Sequence, residues 1–177
     1  MNKLICEKRC QNALESIASG DKTKLTVIYD CLGRQIFTLS LSILGSASDA
    51  EDAMQDTFLK VLSHIDTYRK DGSAMSWVLS IARNSSLDIM RKRRYDLDVD
   101  ELPVSDEPSY DDGGHDVSDM LACLDEADRE IVTLKTVSGM KYREIASVTG
   151  LSVSAVQKRH QRALEKLREY NRKENRK

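Results

Sequence analysis

An acidic segment divides this sequence into two parts and constrains the fold more than any other feature. Residues 96–119 carry ten Asp or Glu and no Lys or Arg, and they contain both prolines of the chain. Such a segment buries too little apolar surface to offset the entropy lost when a chain becomes ordered. We therefore expect an acidic flexible linker over residues 96–117, between a domain of residues 1–95 and a domain of residues 118–177.

Charge is distributed unevenly around that linker. Residues 1–95 hold 14 basic and 11 acidic side chains, and residues 120–177 hold 13 basic and eight acidic ones. The net charge of the whole chain, −2, therefore conceals two basic blocks beside one strongly acidic segment. Basic blocks of this kind favour a polyanion as a binding partner.

Apolar residues recur at helical spacing on both sides of the linker, and no stretch shows the alternation of a half-buried strand. The predicted helices span residues 12–18, 25–44, 74–95, 117–137, 142–148 and 153–170. A further helix should begin at Ser48, which can form a capping box with Glu51. Its buried stripe is expected to comprise Met54, Phe58, Val61, Leu62 and Ile65. The sequence thus predicts an all-α fold of two small helical domains.

The stretch "MKYREIASVTGLSVSAVQKRH", which begins at Met140, has the form of a helix-turn-helix. Gly150 can accept the positive φ of a tight turn, and Ser152 is placed to cap the second helix. The polar side chains predicted to face outward are Ser154, Gln157, Lys158, Arg159, Gln161 and Arg162. Such side chains can read base edges or hold phosphates. A solvated charged face is the alternative, but the tight turn and the clustered donors favour DNA binding.

Three motifs occur in an order and spacing that resemble a known family. They are "DAEDAMQDTFLKVL", "SWVLSIARNSSLDIMRKRR" and "LDEADREIVTLKTVSGMKYREIASVTGLSVSAVQKRHQRALEKLRE". The chain resembles the small, two-domain extracytoplasmic-function (ECF) group of bacterial sigma-70 factors over about residues 10–95 and 118–172. The resemblance implies a factor that binds core RNA polymerase and directs promoter-specific transcription initiation. Its N-terminal domain would correspond to sigma region 2 and its C-terminal domain to region 4, which reads the upstream promoter element.

The resemblance also implies where the N-terminal domain meets its partners. The surface that docks on the coiled-coil clamp of the polymerase β′ subunit would comprise Asp52, Gln55, Asp56 and Leu59. The residues that bind and melt the downstream promoter element would be Tyr68, Trp77, Arg83, Asn84, Arg91 and Arg94. Rings that stack on exposed bases and guanidinium groups that attract phosphates suit that task. A solvated acidic face and an ordinary core tryptophan are the alternatives from sequence alone.

Other functions are less well supported by the sequence. It has no phosphate-cradling glycine loop and no nucleophile elbow, so we expect no enzyme and no cofactor. A conventional helix-turn-helix regulator would not need the Asp52 face. A sigma-like protein that only binds polymerase or an inhibitor would not need the basic helix at Val153. The partners implied are core polymerase, through its β′ and β subunits, promoter DNA and an anti-sigma factor.

The cysteines and the apolar stretches suggest no further site. Cys6 and Cys10, spaced i, i+4, could join His115 or Cys123 at a metal ion, but these ligands are scattered, so we expect none. The longest apolar stretches, such as residues 36–44, are short and interrupted by Ser and Thr, and the N-terminus lacks the apolar core of a signal peptide. We expect a cytoplasmic protein that does not insert into membranes.

Overall fold

The computed structural model describes residues 3–99 and 121–174, which form seven α-helices and no strand. The helices are α1 Lys3–Ala18, α2 Leu25–Leu44, α3 Ala47–Ser63, α4 Ala74–Val99, α5 Glu126–Thr136, α6 Tyr142–Thr149 and α7 Val153–Glu174. This confirms the all-α fold class. Most of the expected linker, including His115, lies outside the described residues. Helix α4 continues four residues beyond its predicted end at residue 95.

Helix α2 is the central helix of the N-terminal unit, which consists of α1 to α4. Its fully buried residues follow helical spacing and include Ile28, Leu32, Ile36 and Leu39. By length and composition alone, the segment Lys22–Leu44 is apolar enough to cross a membrane, contrary to the sequence-based expectation. Half of its most apolar window is buried inside the protein, however, as in the core helix of a soluble fold. Packing against α1, α3 and α4 accounts for its apolar character.

Helix α3 begins two residues earlier than predicted. Ser46 is the N-cap, and its Oγ accepts a hydrogen bond from the Asp49 N–H at 3.3 Å. Ser48 lies inside the first turn, so the predicted cap was wrong. Both serines precede an acidic residue by three positions, and the sequence pattern does not distinguish them.

The buried stripe of α3 is also displaced from the predicted one. Small residues form most of the fully buried face, which consists of Ala50, Ala53, Thr57 and Val61. The larger predicted residues Met54, Phe58, Leu62 and Ile65 are half-buried beside it. Small side chains at the contact let α3 lie close to α2 and α4, and the opposite side of the helix remains open to solvent.

The C-terminal unit, α5 to α7, contains the predicted helix-turn-helix. Gly150 has a φ of 74° and ends α6 by donating its N–H to Ala146 O at 3.0 Å. Ser152 Oγ accepts the Ala155 N–H at 3.2 Å, which confirms it as the cap of α7. The helix predicted over residues 117–137 is interrupted at residues 123–125. Helix α5 starts afresh there because Asp125 Oδ1 accepts the Asp128 N–H at 2.8 Å.

The two units pack against each other, α5 on α2 and α6 on α4. A continuous apolar cluster includes Leu32 and Val78 of the N-terminal unit with Ile131 and Ile145 of the C-terminal unit. At one end of this contact, Lys3 Nζ donates to Gly139 O at 2.8 Å and to Glu144 Oε2 at 2.9 Å. We call this packed arrangement the closed form.

Candidate nucleic-acid and protein interfaces

The recognition face of α7 comprises Ser154, Gln157, Lys158, Gln161 and Arg162. All five side chains are exposed on one side of the helix. The other side packs into the unit through Val156 and Ala163, which are fully buried. Amide, hydroxyl and cationic donors on a protruding helix can reach base edges and phosphates without competing with the core. The structure therefore brings together five of the six residues predicted for upstream DNA.

The sixth residue, Arg159, is held by the scaffold. Its Nη1 lies 3.1 Å from Asp128 Oδ1 and 3.6 Å from Asp125 Oδ1. Lys166 Nζ contacts the same two carboxylates at 3.1 and 3.5 Å. The Asp128 N–H and, after it, Lys166 lower the pKa of Asp125. The Asp128 side chain is only 2% exposed. We call Asp125, Asp128, Arg159 and Lys166 the anchor of α7 on α5.

His160 packs on the inner side of α7. Its Nδ1 lies 3.1 Å from the Tyr142 hydroxyl oxygen, and the two rings meet edge to face. Its Nε2 is buried without a hydrogen-bond partner among the described residues. Burial, aided by the charge of Lys135, lowers the pKa of His160. His160 is therefore a packed residue on the inner side of α7, where its neutral form is favoured.

On the solvent side of α3, a second surface combines acid with an exposed apolar side chain. Asp52 and Gln55 are exposed, Asp56 is half-buried, and Leu59 is 67% exposed. Lys60 Nζ contacts Asp56 Oδ2 at 2.8 Å and Asp88 Oδ2 of α4 at 3.2 Å. Burial opposes the shift, but the hydrogen bond from Lys60 lowers the pKa of Asp56. We call Asp52, Gln55, Asp56 and Leu59 the α3 face, and its composition is suited to a protein partner.

The residues predicted for the downstream element occupy three places. The rings of Tyr68 and Trp77 form a tilted pair with centroids 5.3 Å apart. Asn84, Arg91 and Arg94 are exposed along α4. Arg83 lies apart from both groups, at the contact with α5, where its Nε is 2.5 Å from Glu130 Oε1.

The Arg83–Glu130 pair belongs to the contact between the two units. The Glu130 side chain is 8% exposed and that of Arg83 is 21% exposed. Burial raises the pKa of Glu130, and Arg83 offsets this effect only in part. Arg94 Nη2 approaches Glu126 Oε2 at 3.9 Å nearby. In the closed form, cations of α4 that were predicted to contact DNA therefore face carboxylates of α5.

Two protein families match successive parts of the chain. The family described as "Sigma-70 region 2" matches residues 28–95, and the one described as "Sigma-70, region 4" matches residues 115–167. The ECF sigma factor EcfG of Rhodopseudomonas palustris is 30% identical over 137 residues, which are 74% of this chain and 75% of EcfG. This chain is an ECF sigma factor of the sigma-70 family. As such, it directs promoter-specific transcription initiation.

Other relatives agree with this assignment. The ECF sigma factor SigE of Mycolicibacterium smegmatis is 31% identical over 168 residues, which cover 86% of this chain and 65% of SigE. The structure of CnrH in complex with the cytosolic domain of CnrY superposes with a TM-score of 0.70 at 26% identity, covering 92% of this chain and 96% of CnrH. RpoE bound to the anti-sigma factor NepR of Bartonella quintana gives 0.66 at 25% identity, covering 76% of this sigma factor and 88% of RpoE.

Residues between the two units were missed by sequence reasoning. Glu130 and Glu144 carry two of the ionic contacts of the closed form, with Arg83 and Lys3 opposite them. Each follows an arginine in the sequence, Arg129 or Arg143, and such a local pattern does not separate a buried carboxylate from a solvated one. The helical spacing of Glu130 beside Ile131 and Leu134 was the only available indication that it faces the core.

Proposed function

We propose that this sigma factor uses its two units for separate tasks during initiation. The domain of residues 1–95 would bind core polymerase and melt the downstream promoter element. The domain of residues 118–177 would read the upstream element, and residues 96–117 would link them. The region 2 match, which ends at residue 95, and the region 4 match, which begins at residue 115, support the division into two domains.

The α3 face is the proposed docking site for the β′ clamp coiled coil, and the β subunit is proposed as a second partner in core polymerase. An exposed leucine flanked by carboxylates supports protein contact, because apolar burial supplies affinity while charge selects the partner. The Leu59 side chain is 67% exposed, so most of its apolar surface is accessible to a partner.

The recognition face of α7 is the single feature that best supports promoter reading. Ser154, Gln157 and Lys158 lie in the first two turns of α7, the part of a recognition helix that enters the major groove. Gln161 and Arg162 follow on the same side and are suited to phosphate contact. We assign Arg159 a phosphate contact only if the anchor rearranges, because Asp125 and Asp128 hold its guanidinium.

Promoter melting requires the closed form to open. Tyr68 and Trp77 supply rings for exposed bases, and Asn84, Arg91 and Arg94 line an accessible helix. Arg83 becomes available only when Glu130 leaves it. Polymerase binding, which must place the two units on separate promoter elements, would provide the free energy for that separation.

The remaining partner is a sequestering protein. RpoE in its complex with the anti-sigma factor NepR supports an anti-sigma factor as a partner here. We propose a cytoplasmic location, where polymerase is found, with no membrane insertion, and no catalytic activity of the chain itself. Family membership favours this function over a conventional regulator that binds duplex DNA alone and over a sigma-like protein that never directs initiation.

In vitro transcription with core polymerase and a library of promoter sequences tests the proposal. We expect defined transcripts that depend on the sigma factor and lose their promoter selectivity when the α7 recognition face is altered. Transcription without selectivity would contradict promoter reading by α7. Tight, selective binding of the isolated chain to duplex DNA, without stimulation of core polymerase, would instead support the conventional regulator.

A further inference from the structure

Three cysteines meet in the core of the N-terminal unit. Cys6 and Cys10 lie one turn apart on α1, and Cys31 faces them from α2. Their Sγ atoms all lie within 4.8 Å of one another, and the residues are 3%, 0% and 3% exposed. Within residues 3–99 and 121–174, this is the one group of His, Cys, Asp or Glu close enough to share a metal ion.

The geometry needs little adjustment to hold an ion. Thiolate sulfurs that bind one ion at about 2.3 Å lie about 4 Å from each other. The trio would therefore contract by less than about 1 Å at its widest pair. Cys6 Sγ now donates to the carbonyl oxygen of Cys31 at 3.3 Å, and binding of an ion would replace that hydrogen bond.

The donor set selects a soft ion. Structural zinc takes four ligands, whereas the cluster supplies three sulfurs. Thiolate and thioether donors suit both Zn²⁺ and Cu(I), so the number of sulfurs in the cluster decides for Cu(I). Met75 of α4, 2% exposed, borders the same cleft as Cys6 and Cys31 and adds a thioether to this surface. We propose that Cys6, Cys10 and Cys31 form a three-sulfur site for a soft monovalent metal ion, Cu(I), independent of the proposed function.

The cleft gives an ion a path to the site. It has a volume of about 600 Å³ and lies where the two units meet, between Cys6 and Cys31 on one side and residues 136–139 on the other. Lys3, one turn before Cys6, bonds to Gly139 O and Glu144 across that junction. A bound ion would therefore join α1 to α2 beside the contact that holds the closed form.

Binding of the ion requires the three cysteines to lose their protons, because the thiolate is the form that binds a metal. Metal binding would release the thiol protons to solvent with no change in oxidation state, and the apparent affinity should rise with pH.

Anaerobic titration of the reduced, full-length chain with Cu(I), against a chromophoric Cu(I) chelator, tests the site. We expect one tightly bound ion per chain and an ultraviolet thiolate-to-copper absorption band. Cys6→Ala, Cys10→Ala and Cys31→Ala should each weaken binding more than about 100-fold. Cys123→Ala is the matched control, because Cys123 is exposed in the C-terminal unit. Its affinity should equal that of the wild type.

X-ray absorption of the copper-loaded wild type keeps the test decisive if an alanine variant misfolds. Three sulfur neighbours at about 2.3 Å are expected. A copper shell of nitrogen or oxygen, loss of binding in Cys123→Ala, or no binding beyond that of Cys10→Ala would each overturn the site. Preferential uptake of Zn²⁺ over Cu(I) would overturn the choice of ion.

Discussion

Arg83 of α4 donates from Nε to Glu130 Oε1 of α5, 2.5 Å away, across the contact between the two units. Arg83 belongs to the N-terminal unit and is predicted to hold promoter DNA. Glu130 is a buried carboxylate of the C-terminal unit. The closed form therefore conceals part of the predicted DNA-binding surface. Opening it would let Arg83 exchange Glu130 for the DNA contact predicted for it.

Arg83→Ala should open the closed form. An unpaired, buried Glu130 carboxylate costs about 3–5 kcal/mol, and separation of the units lets water solvate it. Small-angle X-ray scattering is expected to give a larger radius of gyration for the variant than for the wild type at pH 8. Arg91→Ala, at an exposed arginine of the same helix, is the control and should scatter like the wild type.

The opening should depend on pH with a definite sign. Burial raises the pKa of Glu130 in the closed form above its ordinary value of 4.5. The neutral acid is then favoured inside, so closure is strongest at low pH and weakens as the pH rises from 4.5 through the raised pKa. Arg83→Ala should be more compact at pH 5 than at pH 8, and adding Glu130→Gln should remove that difference. Equal dimensions of all variants at both pH values would show that the pair does not hold the units together.

Asp52→Arg should abolish binding to core polymerase, because it puts a cation into the acidic α3 face. Binding is measured by pull-down with purified core enzyme, and circular dichroism checks that helical content is unchanged. Asp66→Arg, the same change at an exposed carboxylate after α3, should bind normally. Undiminished binding by both variants would exclude the α3 face as the docking site.

Gln157→Ala and Arg162→Ala should affect promoter binding in different ways. Loss of a base contact by Gln157 should re-rank upstream sequences by about 1–3 kcal/mol at one base pair. Loss of a phosphate contact by Arg162 should weaken all sequences alike and reduce the slope of log affinity against log salt by about one. Both are measured with the polymerase-bound factor on a promoter library at several salt concentrations. The same preference profile in Gln157→Ala and the wild type would remove Gln157 from sequence reading.

His160→Leu should remove an acid-sensitive component of stability. Burial lowers the pKa of His160 below its ordinary value of 6.5, so the folded state favours the neutral ring. The stability it contributes is complete above pH 6.5 and is lost as the pH falls through the lowered value. The melting temperature of the wild type should therefore fall more between pH 7 and pH 5 than that of His160→Leu. If the melting temperatures of the two proteins change equally with pH, the pKa of His160 does not differ between the folded and unfolded states.

Local patterns predicted much of this structure. The bounds of α2, the turn at Gly150 and the Ser152 cap follow from helical spacing and capping chemistry, which act over a few residues. The family resemblance was confirmed by the region 2 and region 4 matches. The start of α3 was misplaced because Ser46 and Ser48 offer equivalent local patterns.

Contacts between distant residues could not be predicted in this way. Arg83 and Glu130 are 47 positions apart, and nothing local to either residue indicates the other. Cys31 joins Cys6 and Cys10 only because α2 crosses α1 at that level, and the sequence had offered His115 or Cys123 instead. The roles of the α3 face and of the DNA-contacting residues stay predictions until the experiments above are done.

The anchor of α7 has a consequence for how fast this factor can engage its promoter. Arg159 and Lys166 fasten the helix to Asp125 and the buried Asp128 before any DNA arrives. A recognition helix that is already rigid loses little conformational entropy on contact. Its association should then be limited by diffusion and orientation, with a weak dependence on temperature, and not by a folding step. Asp128→Asn should loosen the anchor, so that α7 becomes ordered only while it binds. The association rate constant for the promoter should then be lower than that of the wild type.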